Sequence, residues 1–271
     1  MTNPLGPTLE AATAPKFLPD PAWVDASGRG VTVAMIDSGV DASHPDLAGR
    51  IFEEVGAKIE GSKVTFESVD DGDLAGHGTA CAGIIARLAP DAKIASIRVL
   101  GASGSGDAQI FLAGLEYAVK KRYKIINLSL GTTKPQFFAP LHDLLDRAYQ
   151  AGCIIIAAAN NLPQPSFPSI FSSSLISVVK SEEPDPLKFG FHYGEVIELT
   201  APGVSIRTPW LNGGYRTLTG NSFACPHITG LLARLVETHP ELTPFQAKSA
   251  LYAIARRNSK LERADRRPAD A

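Results

Sequence analysis

The sequence predicts an α/β fold in three layers, with a mainly parallel central sheet and helices on both faces. Two observations predict it. Short apolar runs are continuous in polarity rather than alternating, as in strands buried on both faces of a parallel sheet. Helical patterns fall between those runs, the strand–helix alternation of a doubly wound domain. No repeat and no low-complexity linker divides the 271 residues, so one domain is expected over 23–258.

Taken in order, residues 1–22 carry Pro4, Pro7, Pro15, Pro19 and Pro21 with little periodicity and read as an extended lead-in. The apolar runs are Val31–Ile36, Ile94–Val99, Ile125–Leu128, Cys153–Ala158, Leu175–Val179 and Val196–Leu199. Asp107 is a candidate cap for a helix reaching Lys121. Gln136–Ala151 places Leu141, Leu144, Leu145 and Ala148 on one face, and Gly152 fits its C-terminal end. Thr243-Pro244 reads as an N-cap followed by proline at the first helical position, opening a helix towards Arg256. Residues 259–271 read as a polar, frayed tail.

Composition narrows the function classes. The net charge of −2 offers no basic excess for nucleic acid or an anionic membrane, so neither is expected as a partner. The longest strongly apolar run, Ala151 to Ala159, is about half of what spans a bilayer. The N-terminus lacks the basic-then-apolar layout of a secretory signal, which gives a cytoplasmic expectation. Cys81, Cys153 and Cys225 are too few for a disulfide framework, and no CxxC pair suggests zinc or redox work. No cofactor and no metal is expected.

In an open α/β sheet, ligands bind outside the carboxyl ends of the strands, so chemistry is sought just after the apolar runs. Three places stand out. Asp37 ends the run Val-Ala-Met-Ile, where a carboxylate is costly unless paired; alone it reads equally as a turn residue of Asp-Ser-Gly. His77 lies between glycines in GHGTACAG, ahead of a small-residue helical start; alone it reads as structural. Ser222 lies in GNSFACPH, ahead of a helix with proline in its first turn; alone it reads as an N-cap. Together they form a stronger set. A serine hydroxyl needs a base, and the base needs a carboxylate to fix its tautomer and steady the imidazolium.

VAMIDSGVDASHPDL, GHGTACAG and GNSFACPHITG resemble the aspartate, histidine and serine motifs of the subtilisin-like serine proteases, or subtilases. The motifs stand in that family's order, and the likeness covers roughly residues 25–255. The resemblance implies a subtilisin-like fold and a serine endopeptidase working through an acyl-enzyme. It implies Asp37 as orienting acid, His77 as general base and then acid, and Ser222 as nucleophile. It implies Asn161 as the oxyanion donor in Ala-Ala-Ala-Asn-Asn, with Asn160 where the family has glycine and left-handed backbone tolerated there by asparagine. A shifted registration would make Asn160 the donor. The resemblance further implies that a peptide or protein substrate binds as an extended strand. Ser103, Gly104 and Ser105 would lie on one side and Ser129, Leu130 and Gly131 on the other, with Ser166 near the floor of the primary specificity pocket.

Departures from the pattern carry expectations of their own. Asn221 stands where threonine is common, and Phe223 where methionine is. Cys81 matches the cysteine of thiol-containing relatives, although a buried small residue would look the same. Asp46 matches one calcium ligand of the family, but the loop supplying the others is missing, and calcium takes 6–8 oxygens. Asp70, Asp71 and Asp73 read as a solvated acidic turn, with Asp73 at a position near the cleft that could favour a basic substrate residue. The stretch 161–167 holds no acidic residue to demand Lys or Arg. No prodomain is apparent before Asp37, which suggests an intracellular processing or regulatory protease restrained by an unknown regulator or inhibitor. A peptide-cyclising transamidase and a non-catalytic peptide-binding homologue are the rival readings.

Overall fold

The computed structural model describes residues 21–61, 63–192 and 196–265. The lead-in up to residue 20 and the tail from 266 lie outside them. Eleven strands and five helices follow one another. Strand β1 is Thr32–Asp37, β2 Ile51–Glu60 and β3 Lys63–Ser68, leading to helix α1 at His77–Leu88. Strand β4 (Lys93–Arg98) precedes α2 (Ala108–Lys120), and β5 (Ile125–Leu128) precedes α3 (Phe138–Gln150). Strands β6 (Ile154–Ala158), β7 (Ile176–Ser181), β8 (Gly190–Phe191), β9 (Leu199–Pro202), β10 (Ile206–Trp210) and β11 (Gly214–Leu218) come next. Helices α4 (Asn221–Thr238) and α5 (Pro244–Asp265) close the chain.

Nine strands form one sheet in the order β3-β2-β4-β1-β5-β6-β7-β9-β8. Every pairing from β2 across to β9 is parallel, and the two outermost strands are antiparallel. The chain leaves β1 to one side and returns after β4 to pair β5 on the other side of β1. Both faces are covered. Val33 and Met35 pack with α1, α4 and α5, whereas Ala34 and Ile36 pack with α2 and α3. Burial on both faces is why the strands read as continuous apolar runs.

The helix starts follow the local chemistry. Asp107 caps α2 by accepting the Gln109 N–H at 2.7 Å. Thr243 and Gln246 form a reciprocal box, each side chain accepting the other's backbone N–H, at 3.3 and 3.0 Å. Gly152 ends α3 in the left-handed region at φ 78. Three expectations need correction. The run at Val196 is half exposed, and its strand begins only at Leu199, because these residues lie at the sheet edge beside the two-residue β8. The α3 region opens as a 3-10 turn over Pro135–Phe137, so the α-helix begins two residues later than expected. The last helix runs to Asp265, past the expected boundary at 258. Among the described residues no helix is long and apolar enough to cross a membrane.

One tie fastens the start of the described chain to α4. Glu237 Oε2 accepts the backbone N–H groups of Ser27, Gly28 and Arg29 at 2.8, 2.5 and 2.9 Å. Glu237→Ala leaves these donors to water and should lower stability by about 1.5–3 kcal/mol, the range for hydrogen bonds to a charged group. Urea denaturation measures it, and an unchanged midpoint would show the tie to be idle.

Candidate active site

Asp37 is the last residue of β1, so its carboxylate emerges at the carboxyl end of an inner strand of the sheet. Its side chain is 1% exposed. Oδ1 accepts the Ser38 N–H at 2.7 Å and the His77 Nδ1–H at 2.7 Å. His77 opens α1, where Gly78 lets two loops meet. A Cβ on Gly78 would stand 2.0 Å from the Gly39 carbonyl oxygen, and one on Gly39, at φ +105, would stand 2.3 Å from that of Gly72. Only glycine permits both approaches.

Asp73 organises this corner, in a way the sequence does not announce. It is 8% exposed, and its two oxygens accept the Ser38 hydroxyl, the Ala75, Gly76 and Thr79 N–H groups and the Thr79 hydroxyl, all at 2.6–2.9 Å. It takes donors from the turn leading into α1 and the Thr79 N–H of the first turn, and is not a solvated turn residue. A carboxylate so fully engaged has no oxygen left to recognise a basic substrate side chain. Asp71 pairs with Arg98 at 2.6 Å.

Ser222 stands in the first turn of α4. Gly220, not Ser222, takes the N-cap position, so the hydroxyl is not a cap. Pro226 falls in the second turn rather than the first. It therefore lacks the N–H that would bond the Ser222 carbonyl within the helix. That carbonyl instead accepts the Ser129 hydroxyl at 3.0 Å and the Cys81 thiol at 3.4 Å. The Ser222 hydroxyl donates to the Ser129 carbonyl at 3.0 Å, with no hydrogen bond to the imidazole. His77 and Ser222 nonetheless line one cleft of about 430 Å³.

Gly104, Ser105, Ser129, Leu130 and Gly131 line the same cleft, as the resemblance implies. Ser103 does not: it is exposed and its hydroxyl meets that of Ser105 at 2.6 Å. Ser166 is buried beneath the lining, where a Cβ on Gly131 would lie 3.5 Å from its Oγ. The lining also includes Asp107, read in the sequence only as a helix cap, and Phe111 and Lys134, which sequence patterns give no reason to single out.

Asn161 follows β6 and faces the start of α4. Its Oδ1 accepts the Asn221 N–H at 2.9 Å, which turns the Nδ2 donor away, and a Cβ on Gly220 would lie 3.7 Å from that Nδ2. Asn160 Nδ2 is committed to the Gln164 carbonyl at 3.0 Å, while its Oδ1 accepts the Leu162 N–H in a local turn. Asn160 is not among the residues with positive φ, so no left-handed tolerance is needed there. Asn221 is 2% exposed. Its Oδ1 accepts the Lys180 N–H at 2.9 Å and its Nδ2 donates to the carbonyls of Ala159 and Asn160 at 3.1 and 2.9 Å, binding α4 to the ends of β6 and β7.

Cys81 lies behind the imidazole, its Sγ 4.0 Å from His77 Nδ1. Burial pushes the thiol's pKa up, so it stays protonated. Asp37, His77 and Cys81 bring three metal-ligand atoms within 4.8 Å of one another, but a metal there would have to break the Nδ1–Oδ1 bond. Asp46 Oδ1 accepts the Tyr215 hydroxyl at 2.9 Å.

Comparison with known proteins agrees with this geometry. The pattern of the Subtilase family matches residues 28–267. Thermitase of Thermoactinomyces vulgaris is 34% identical, over 79% of this chain and 77% of its own length. Minor extracellular protease Epr of Bacillus subtilis (strain 168) is 32% identical over 85% of this chain, which spans only 36% of Epr. The crystal structure of a cold adapted subtilisin-like serine proteinase superposes with a TM-score of 0.70 at 28% identity, covering 85% of this chain and 84% of that one.

Burial of the imidazole opposes its protonation, but the Asp37 carboxylate and, adding to it, Cys81 together raise the His77 pKa well above 6.5. The protonated ring's contribution to stability is therefore full below about pH 6.5 and is lost as pH rises through the folded-state value. An NMR titration of the ring should show a midpoint above 6.5, and Asp37→Asn should move it down, since the main opponent of burial is then removed. An unmoved midpoint would remove Asp37 as the cause.

Proposed function

Because the chain belongs to the subtilase family, and is a serine endopeptidase on that footing, we propose that Ser222 attacks the scissile carbonyl. His77 then acts as base and afterwards as acid, and Asp37 fixes the ring. The Asp37–His77 bond beside Ser222, at the carboxyl ends of the strands, carries this reading. Oδ1 holds the proton on Nδ1 and leaves Nε2 free to take the Ser222 proton.

For attack, the Ser222 side chain turns from the Ser129 carbonyl towards Nε2. That turn frees the Ser129 carbonyl to accept a substrate backbone N–H. A substrate strand then lies between Gly104–Gly106 and Ser129–Gly131, held by backbone hydrogen bonds. The tetrahedral oxyanion is met by Asn161 Nδ2 and the Ser222 N–H. As the ring gains its proton, Asp37 steadies the imidazolium, and the same proton is delivered to the departing amine. Water then repeats the sequence on the acyl-enzyme.

Leu100, Phe111 and Leu130 make the part of the cleft beyond Gly104 apolar, with Asp107 and Lys134 of opposite charge nearby. Ser166 behind Gly131 supplies no charge, which favours apolar or mid-sized residues at the primary pocket.

A fluorophosphonate should add once to the wild-type chain, seen as intact mass, and not at all to Ser222→Ala. Folded wild-type protein that takes no adduct would refute an activated Ser222. Asn161→Ala should lower kcat by about 100–1000-fold with little change in KM, the typical loss for one oxyanion donor. Steady-state kinetics on a peptide substrate measures the split, and an unchanged kcat would move the donor elsewhere.

A further inference from the structure

Away from the cleft, a second cavity of about 390 Å³ opens between α1, the 3-10 turn at Pro45–Leu47 and the β10–β11 hairpin. Arg50, Arg87 and Arg207 line it, against one carboxylate, Asp46. Asp46 already accepts the Tyr215 hydroxyl. None of the three arginines is ion-paired among the described residues. Arg50 Nε donates to the Pro90 carbonyl at 3.1 Å, and the Arg207 guanidinium lies 3.8 Å from the centre of the Tyr215 ring.

Arg87 is the least compensated. Its Nη2 meets His227 Nε2 at 3.4 Å. His227 is wholly buried and its Nδ1 donates to the Phe223 carbonyl at 2.8 Å, so Nε2 is the acceptor. Burial, with Arg87 adding to it, pulls the ring's pKa down to about 4, and the partner of Arg87 is therefore neutral. Arg87 is an exposed residue, yet partial desolvation of its guanidinium lowers its pKa from the ordinary value, with no carboxylate acting against it. The C-terminal end of α1 offers only a partial negative charge.

A neighbouring cavity of about 410 Å³ shares Arg87 and Arg207 and adds Glu182 and Glu183, so its lining carries two charges of each sign, although among the described residues neither glutamate is ion-paired with the arginines. The excess positive charge belongs to the first cavity. Planar guanidiniums there present paired N–H donors suited to tetrahedral oxyanions.

We propose that Arg50, Arg87 and Arg207 form a binding site for a doubly charged phosphate-type anion, free or as a phosphate monoester, distinct from the cleft. The bound anion joins α1, the segment before β2 and the β10–β11 hairpin. Anion binding to the folded chain alone raises its thermal stability.

The test uses the full chain carrying Ser222→Ala, which prevents self-digestion and lies outside this cavity. Inorganic phosphate is titrated at pH 7.5 by calorimetry, with sodium chloride at matched ionic strength as control. Saturable one-to-one binding tighter than about 1 mM is expected, with a rise in Tm that chloride does not give. Arg87→Gln and, separately, Arg207→Gln, both at exposed residues, should each weaken binding at least about tenfold, as loss of one charged hydrogen-bonding partner does. Glycerol phosphate binding equally well supports the site and marks the phosphoryl group as the recognised part; tighter binding supports it and assigns the ligand to a monoester. Phosphate no better than chloride, or Arg207→Gln binding as wild type in a folded protein, overturns the proposal.

Discussion

A carboxylate held out of water at the end of an apolar strand constrains everything around it. Asp37 occupies that position, and its charge is tolerable only with donors brought to it. The Ser38 N–H and the His77 ring supply them. Placing the ring within 2.7 Å in turn requires α1 to start beside the end of β1, and that requires the bare backbones of Gly39 and Gly78 to touch their neighbours. Asp73 completes the arrangement by accepting the N–H groups at the start of α1 and the hydroxyl of Ser38. Two buried carboxylates thus share this corner, with Ser38 donating its N–H to Asp37 and its hydroxyl to Asp73.

Helix α4 obeys a comparable constraint. Pro226 cannot close the hydrogen bond to the Ser222 carbonyl, yet a carbonyl in this packed corner still needs a donor. Ser129 and Cys81 provide it, from the end of β5 and from α1. The residue proposed as nucleophile is thus pinned through its backbone to the elements bearing the cleft wall and the base, while its hydroxyl stays free to turn. Asn221, one residue earlier, fastens the same turn to β6 and β7.

The parts legible in the sequence were those where burial is symmetric or a motif is dense. Strands covered on both faces, such as Ile125–Leu128, are continuous apolar runs with no competing pattern. The pairs β2–β3 and β10–β11 went unseen because they are half exposed and carry charges, as in Phe-Glu-Glu-Val and Tyr-Arg-Thr. Asp37, His77 and Ser222 were legible through their motifs, and the fold brings their elements together at one end of the sheet. The roles of Asp73 and Asn221 were not, since a buried carboxylate accepting backbone N–H groups looks in sequence like any acidic turn. Pro226 was legible as a helix residue, but not as the reason for a free carbonyl, which depends on which neighbours approach it.

In the proposed reading a substrate strand lies along Ser129 to Gly131, just before Thr132 bridges Phe167. Pairing of this kind reads main chain before side chain. It discriminates first by whether a segment can be drawn out straight, and only second by what that segment carries. Residues already paired in a folded sheet, such as this molecule's own nine strands, are thereby withheld from it. Selectivity of this sort is mechanical as much as chemical: the compact form of a protein is its defence, and a segment becomes vulnerable to the degree that it can leave its own fold.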